Sequence, residues 1–388
     1  MGRGVAGDLP AKADVAILGA GVIGCAIADA LAGRGLSVVA LDPTGIGAAA
    51  SAGAAGLLAP LVEAPGPGPF LTLALASLER FPKLAAALKG ETGIDVGWRE
   101  RATLRVAETE EERSELQARV EWQRGAGLHV EWLEPEALRH AEPLLGDRML
   151  GALRSARDGV VTSGRLTAAL AARARMRGAV FVVAGGEVAA SRSGDRVDRI
   201  LVAGASLLAG EVVIAAGPWS AAVARALGVG PLPVRPVKGQ LALAEVRRAP
   251  EHSIFGAGGY VAGKADGVLV AGATVEERGF DLTIGDRAHD AIVARAVRLV
   301  PSLDPAAFTL RWAGLRPALP DLLPALGRTD RARNVLVATG HFRNGILLAP
   351  ITAEAIAAAI TGEPFSPDLG PFSPDRFSSD DPAAVERF

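Results

Sequence analysis

Val15-Ala16-Ile17-Leu18-Gly19-Ala20-Gly21-Val22-Ile23-Gly24 runs an apolar stretch into a glycine turn, and Val38-Val39-Ala40-Leu41-Asp42 follows one helix-length later. The pattern predicts strand, tight turn, helix and second strand, with an acid closing the second strand. Gly19 permits the sharp turn, Gly21 lets a pyrophosphate approach the backbone, and Gly24 lets the helix lie against the strand. The helix start then offers unpaired N–H groups and a positive dipole end to phosphate. Asp42 stands at the spacing of about 20 residues expected of a carboxylate that binds a ribose hydroxyl. A Gly/Ala-rich buried helix would explain the glycines but not the acid. The stretch therefore points to a dinucleotide site.

Composition narrows the classes. The 388 residues suffice for two domains with full cores. A net charge of −2 leaves no electrostatic footprint for nucleic acid or an anionic membrane. The run 15–31 is apolar, but it holds the glycine turn and Asp29 and lacks a basic flank and a cleavage site, so neither a signal peptide nor a membrane span is expected. The single cysteine, Cys25, reads as a small buried hydrophobe, and with no signal peptide expected it points to the cytoplasm. The five histidines are dispersed without ligand spacing, so no metal site is expected.

Further along, residues 1–13 read as a frayed glycine-rich leader, and 45–56 (GIGAAASAGAAG) as a small-residue loop that lets backbone approach a ligand, with Ser51 its one hydroxyl. Helices are expected at about 70–89, 108–125 and 166–177, and strands at 180–183, 212–216, 241–245, 260–263, 268–273 and 335–339. A long Ala/Ile-rich helix runs to about 361, and the Pro/Ser/Asp-rich remainder reads as an extended surface segment. Strand-then-helix units recur at the start, near 212 and near 335. A nucleotide domain interrupted by a second domain follows.

Two C-terminal stretches carry arginines in unusual settings. Trp312-Ala313-Gly314-Leu315-Arg316-Pro317 places Arg316 among apolar residues, and Gly340-His341-Phe342-Arg343-Asn344-Gly345-Ile346-Leu347 places Arg343 at a strand-to-helix turn. A buried guanidinium needs a carboxylate or phosphate, and its planar fork suits a substrate carboxylate. On spacing alone Arg316 is equally open to a structural pair, for instance with Asp321. The helix start near Asn344 would stabilise negative charge.

With these segments the chain resembles the flavin-dependent D-amino-acid oxidase and glycine oxidase superfamily, and within it most of all the glycine oxidases of bacterial thiamine biosynthesis. The carrying segments are VAILGAGVIG at 15–24, Asp42, GAAGLL at 53–58, AAGPWS at 215–220, PVKGQ at 236–240, LVAGAT at 269–274, WAGLRP at 312–317 and GHFRNGILLAP at 340–350. The resemblance implies an α/β fold: a discontinuous, Rossmann-like FAD-binding domain of the glutathione-reductase type (14–85, 150–222, 325–362), a mixed or antiparallel-sheet substrate domain (86–149, 223–324) and a tail (363–388). It implies FAD, with Gly19, Gly21, Val22, Ile23 and Gly24 at the pyrophosphate turn and Asp42 with Pro43 near the adenosine ribose. Ala50, Ser51, Ala55, Gly56 and Leu57 would line the flavin side, with Gly217 and Trp219 also at the cofactor. Val188 would meet the adenine, and His341, Phe342, Arg343, Asn344, Gly345, Ile346 and Leu347 would run along the flavin ring. Arg316 resembles the arginine that binds the substrate carboxylate, Tyr260 the tyrosine that assists it, and Arg343 the position whose carbonyl receives the amine.

The implied activity is oxidation of glycine or another small amino acid (sarcosine, D-alanine) by hydride transfer to flavin. It yields an imino acid, then oxo acid and ammonia, with oxygen reduced to hydrogen peroxide, and the imine is available to thiazole synthesis. Assembly as a homotetramer comes with the resemblance. Gly258, Val275 and Leu57 stand where the family can carry a histidine and two methionines, and Ala262-Gly263-Lys264 departs from its proline turn. These changes touch pocket walls, so they leave open a related oxidase or dehydrogenase of sarcosine, proline-type or D-amino acids. A tRNA-modifying flavin domain is disfavoured by the charge and by the lack of a fused methyltransferase. A non-catalytic flavoprotein is disfavoured by Arg316, Tyr260 and Arg343.

Overall fold

In the computed structural model, which describes residues 9–377, strand Lys12–Leu18 lies between Ala205–Ile214 and Val38–Asp42, parallel to both. Val180–Val183 extends the parallel sheet beyond Val38–Asp42, and Val335–Thr339 joins it alongside Ala205–Ile214. Antiparallel strands Ala189–Ser193, Arg196–Val202 and Ala325–Arg328 complete eight strands. The apolar run at 15–18 is continuous because both faces are covered. Val15 and Ile17 pack with the helices Val22–Ala32, Ser163–Met176 and Gly345–Thr361, while Ala16 and Leu18 pack on the other face with Ile200, Ala224 and Leu227. Asp29, which interrupts the apolar pattern of the first helix, is buried in a bidentate pair with Arg173 (2.6 and 2.9 Å). That pair ties the first helix to Ser163–Met176, and Arg177 and Glu91 extend it.

The second sheet also has eight strands, ordered Leu310–Ala318, Arg235–Glu245, Val268–Gly272, Gly259–Gly263, Ser253–Gly256, Thr103–Ala107, Gly151–Ser155 and Val130–Leu133. All neighbours are antiparallel except Ser253–Gly256 against Thr103–Ala107. The helix Asp286–Leu299 packs Ile292, Val293, Ala296 and Leu299 into its core. The α/β architecture with one parallel nucleotide sheet and one mixed sheet is thus the one expected. Small strands Leu57–Leu58, Gly159–Val160 and Arg99–Glu100 pair at the junction of the two sheets.

Several local expectations differ. Lys12 and Ala13, placed in the leader, already pair with Leu208 and Ala209; residues 1–8 and 378–388 lie outside the described residues. Strand Gly151–Ser155, inside the range 150–222 expected of the cofactor domain, pairs in the second sheet, and 224–234, expected beyond it, packs on the first. The helix expected at 70–89 is two, Pro69–Leu78 and Phe81–Thr92, because Pro82 has no amide hydrogen to carry one ladder through. The described part of the tail is packed, not extended: Phe372 is fully buried, Asp375 accepts from Thr329 Oγ1 and the Asp330 amide, and Arg376 pairs with Asp321. Its prolines hide the anchoring phenylalanine from a composition reading. Among the described residues no helix is long and apolar enough to cross a membrane.

Asp158, just before the Gly159–Val160 strand, is buried, with Oδ1 accepting from the Ser155 hydroxyl at 2.9 Å and Oδ2 lacking a protein partner. Burial pushes its pKa up to about 7, against the opposing pull of the Thr103 and Ser155 hydroxyls. A carboxyl whose folded pKa exceeds its unfolded value binds its proton more tightly when folded, so stability falls as pH rises from about 4 to about 7. Asp158→Asn should therefore raise the unfolding free energy at pH 8 by up to a few kcal/mol and match the unmodified chain below pH 4. Denaturant unfolding at both pH values checks this; a variant destabilised at pH 8 would contradict it.

Candidate active site

Each parallel strand ends at one cavity of about 1220 Å³. Leu18 and Gly19, Leu41 and Asp42, Ala184 and Gly186, Ala215 to Gly217, and Ala338 to His341 all contribute to its wall. Ligands of open α/β sheets bind at the carboxyl ends of the strands, and this cavity occupies that position.

The glycine turn is held by backbone contact and by Asp42. Gly19 has φ +115°, and a Cβ there would stand 2.3 Å from the Ala215 carbonyl oxygen, so no side chain fits. A Cβ on Gly24 would meet the Gly19 carbonyl at 2.0 Å, which fixes how closely the helix approaches the strand. Gly24 shapes the turn from behind and is absent from the cavity wall, unlike Gly19, Gly21, Val22 and Ile23. The Asp42 carboxylate accepts the Ala20 amide at 2.8 Å through Oδ2, and the Thr44 amide, Thr44 hydroxyl and Gly45 amide at 2.9–3.0 Å through Oδ1. Asp42 thus clamps the turn to the second strand. The first helix has no side-chain cap at Gly21, and its Val22 amide donates to Ser51 Oγ at 2.9 Å.

Pro43, Ala50, Ser51, Ala55, Gly56, Leu57, Val188, Gly217 and Trp219 all line the same cavity. A Cβ on Gly56, at φ +70°, would stand 2.1 Å from the Val161 carbonyl oxygen and 3.0 Å from Lys264 Nζ, which donates to that carbonyl at 3.1 Å. Burial pushes the Lys264 ammonium down to about 8. The C-terminal turn supplies the opposite wall through His341, Phe342, Arg343, Asn344, Gly345 and Ile346. His341 is buried with Nε2 3.1 Å from Thr352 Oγ1, and burial lowers its pKa to about 3, so the ring is neutral. Leu347, expected along the flavin ring, points into the helical core instead, 1% exposed, because one residue further along the helix turns the side chain away. The helix Gly345–Thr361 starts without a side-chain cap, so its first-turn amides are free to meet negative charge in the cavity.

Arg316, Tyr260 and Arg343 share this cavity. Arg316 Nη1 donates to the carbonyls of Thr274 (3.0 Å) and Lys238 (3.3 Å), and no carboxylate lies within ion-pair distance of it among the described residues. Asp321, the structural alternative, is bound to Arg376 at 2.8 Å. Burial pulls the Arg316 pKa down, and the Tyr260 oxygen beside it is the largest opposing influence. Tyr260, tilted against Phe255 at 5.4 Å, is pushed by burial up to about 12, so its hydroxyl keeps the proton it would donate. A guanidinium and a phenol in one pocket, neither bonded to a carboxylate among the described residues, have the chemistry to take an anion.

Residues that carry this arrangement escaped the sequence reading. The Arg316 guanidinium lies on Gly239, where a Cβ would stand 2.2 Å from both Nη atoms. Trp312 is wedged between Gly53 and Gly314, where Cβ atoms would fall 2.0 and 2.1 Å from its ring. Glu63 lines the cavity and pairs with Arg343 at 3.4 Å, and Arg105 lines it nearby. The PVKGQ and WAGLRP segments contained Gly239 and Trp312, but which glycine faces which side chain depends on strand pairing. Glu63 has no periodic or spacing signature.

The cavity fits FAD on observations of the chain itself. It is larger than the range of about 300–1000 Å³ usual for small ligands, its glycine turn excludes side chains, and two uncapped helix starts open on it. The model of FAD dependent oxidoreductases matches residues 14–359. A glycine oxidase of Geobacillus kaustophilus is 37% identical over 93% of this chain and 96% of its own length. The bifunctional protein ThiO/ThiG of Synechocystis sp. is 34% identical over 94% of this chain and 54% of its own length. The crystal structure of glycine oxidase from Geobacillus kaustophilus superposes with a TM-score of 0.91 at 35% identity, covering 95% of this chain and all of the other.

Gly239→Ala should displace Arg316 while leaving the turn at Gly19 and Asp42 untouched. A displacement on the ångström scale at a binding group costs on the order of a hundredfold in kcat/KM. Steady-state kinetics with a flavin content measurement check this; unchanged kinetics would show that Arg316 does not depend on the glycine.

Proposed function

The chain belongs to the FAD dependent oxidoreductase family, and on that premise we propose that it oxidises glycine or a small amino acid of the sarcosine or D-alanine type to the imino acid, which hydrolyses to an oxo acid and ammonia. The observation that carries the reading is Arg316: a partly buried guanidinium beside a protonated Tyr260, in the cavity that ends at the glycine turn, with no carboxylate within ion-pair distance among the described residues.

When bound, FAD supplies the two-electron oxidation of the amine. The turn residues Gly19, Gly21, Val22 and Ile23 would hold its pyrophosphate, Asp42 and Pro43 its ribose, and Val188 its adenine end. Ala50, Ser51 and 55–57 would border the ring, together with 341–346. Arg316 and Tyr260 fix the substrate carboxylate through charge-assisted hydrogen bonds, which orients the α-carbon and its amine. His341 is neutral and buried, so it sets a wall and moves no proton. The first-turn amides of Gly345–Thr361 would hold negative charge on the bound cofactor. No side-chain base is needed once the amine has lost its ammonium proton.

Oxygen as acceptor, giving hydrogen peroxide, belongs to the same proposal, as does a place in thiamine thiazole biosynthesis, which the match to the ThiO/ThiG protein supports. A cytoplasmic setting accords with the one buried cysteine, whose thiol burial pushes up to about 12. A homotetramer rests on the family resemblance.

The test is a peroxide-coupled assay of the yellow, FAD-loaded protein with glycine, sarcosine and D-alanine. Arg316→Ala should lower kcat/KM for all three alike, by a hundredfold to several thousandfold, the scale of about 3–5 kcal/mol for an uncompensated buried charge. Flavin content and melting temperature should stay near those of the unmodified chain. A variant that keeps normal turnover and loses only thermal stability would make Arg316 structural.

A further inference from the structure

The cavity wall holds a second charged group that the carboxylate receptor does not use. Glu63 ends the short helix Pro60–Glu63, directly after the Leu57–Leu58 strand that borders the cavity. Its Oε2 pairs with Arg343 Nε at 3.4 Å, and its Oε1 makes no hydrogen bond among the described residues. Its side chain is 16% exposed, against 49% for Arg343, so the carboxylate is the inner member of the pair. Its charge reaches both Tyr260 and Arg316, and so does that of Arg343.

This leaves two guanidinium groups and one carboxylate around one binding point. A bound substrate carboxylate neutralises Arg316. The substrate nitrogen, one carbon from that carboxylate, then shares the cavity with the Glu63–Arg343 pair on its wall. A protonated amine, or the N–H of a neutral one, needs an acceptor there, and a charged acceptor is worth more than a neutral one. Glu112 and Glu115 also line the cavity, but the Glu112 carboxylate accepts the Glu108 amide at 2.7 Å, and Glu115 stands 3.9 Å from Arg105 and is two-thirds exposed. Glu276, near Arg316, accepts from Thr274 Oγ1 and Gln240 Nε2. Of these carboxylates Glu63 is the one whose charge acts on both Tyr260 and Arg316.

We propose that Glu63, held in place by Arg343, is a side-chain receptor of the substrate amino group, acting beside the Arg343 carbonyl that the resemblance implies, and favours small substrates carrying both a carboxylate and an N–H-bearing amine. The assignment rests on the amino-acid oxidase reading above. The charge of Arg343 acts through Glu63 by fixing one of its oxygens and leaving the other toward the nitrogen. Primary and N-methylated amino acids satisfy the pair of receptors, whereas a carboxylate without an amine engages only Arg316 and Tyr260.

Glu63→Gln in the FAD-loaded chain separates the two halves of the receptor. KM for glycine should rise by roughly ten- to a hundredfold, the range of a charge-assisted hydrogen bond, with a smaller change in kcat. The dissociation constant of acetate, read from the flavin absorbance change without turnover, should stay within about twofold or tighten, since a nearby negative charge has gone. Glu63→Asp should recover part of the glycine affinity, and it stands in should the Gln variant fail to fold. Equal weakening of glycine and acetate would overturn the assignment and make Glu63 a support of the pocket; an unchanged KM would overturn it outright. Absence of turnover with any amino acid in the unmodified chain would overturn the oxidase reading itself, and the assignment with it.

Discussion

A guanidinium drawn into a cavity without a carboxylate of its own is costly to keep unless an anion visits it, and the second sheet is arranged to keep Arg316 in that condition. Strand pairing sets Val237 opposite Arg316 and Gly239 opposite Gly314, so the arginine lies along its neighbour strand over a residue with no side chain. Two backbone carbonyls hold one end of the fork and leave the rest toward the cavity. Asp321, the partner that sequence spacing offers, is taken by Arg376 from the packed tail, and Glu276 is bonded to Thr274 and Gln240. Trp312, four residues before Arg316, is seated between Gly53 and Gly314 and joins the strand to the small-residue loop of the nucleotide side.

The other half of the cavity answers a different demand. A long anionic cofactor needs close backbone approach at one end and tolerance of negative charge at the other. The parallel sheet meets both by ending its strands at a single line, with one uncapped helix start after Leu18 and another after Thr339. Asp42 joins these requirements, since a carboxylate on the cavity wall also accepts the Ala20 amide and so holds the turn. Its four donors explain why an acid, and not a neutral residue, closes the second strand.

The parallel sheet was legible because its signals are local. Glycine spacing, continuous apolar strands and the acid at Asp42 lie within thirty or so residues of sequence, and the strand at 335–339 was placed to the residue. Arg316 was visible as an arginine in an apolar context, yet its freedom from Asp321 was not, because that depends on where the tail folds back. The resemblance places Leu347 along the flavin ring with the rest of its segment, while helical periodicity sends its side chain into the core. Gly239 and Glu63 act through partners 77 and 280 positions away. No window of sequence brings those pairs together.

The measurement that bears most directly on the account is a crystal structure of the FAD-loaded chain with glycolate, the hydroxyl counterpart of glycine. The account predicts the glycolate carboxylate at about 2.7–2.9 Å from the Arg316 guanidinium, with the Tyr260 hydroxyl donating to it, the pyrophosphate at 19–23 and Arg316 still lying over Gly239. Glycolate bound away from Arg316, or Arg316 turned to a protein carboxylate with the ligand in place, would contradict it.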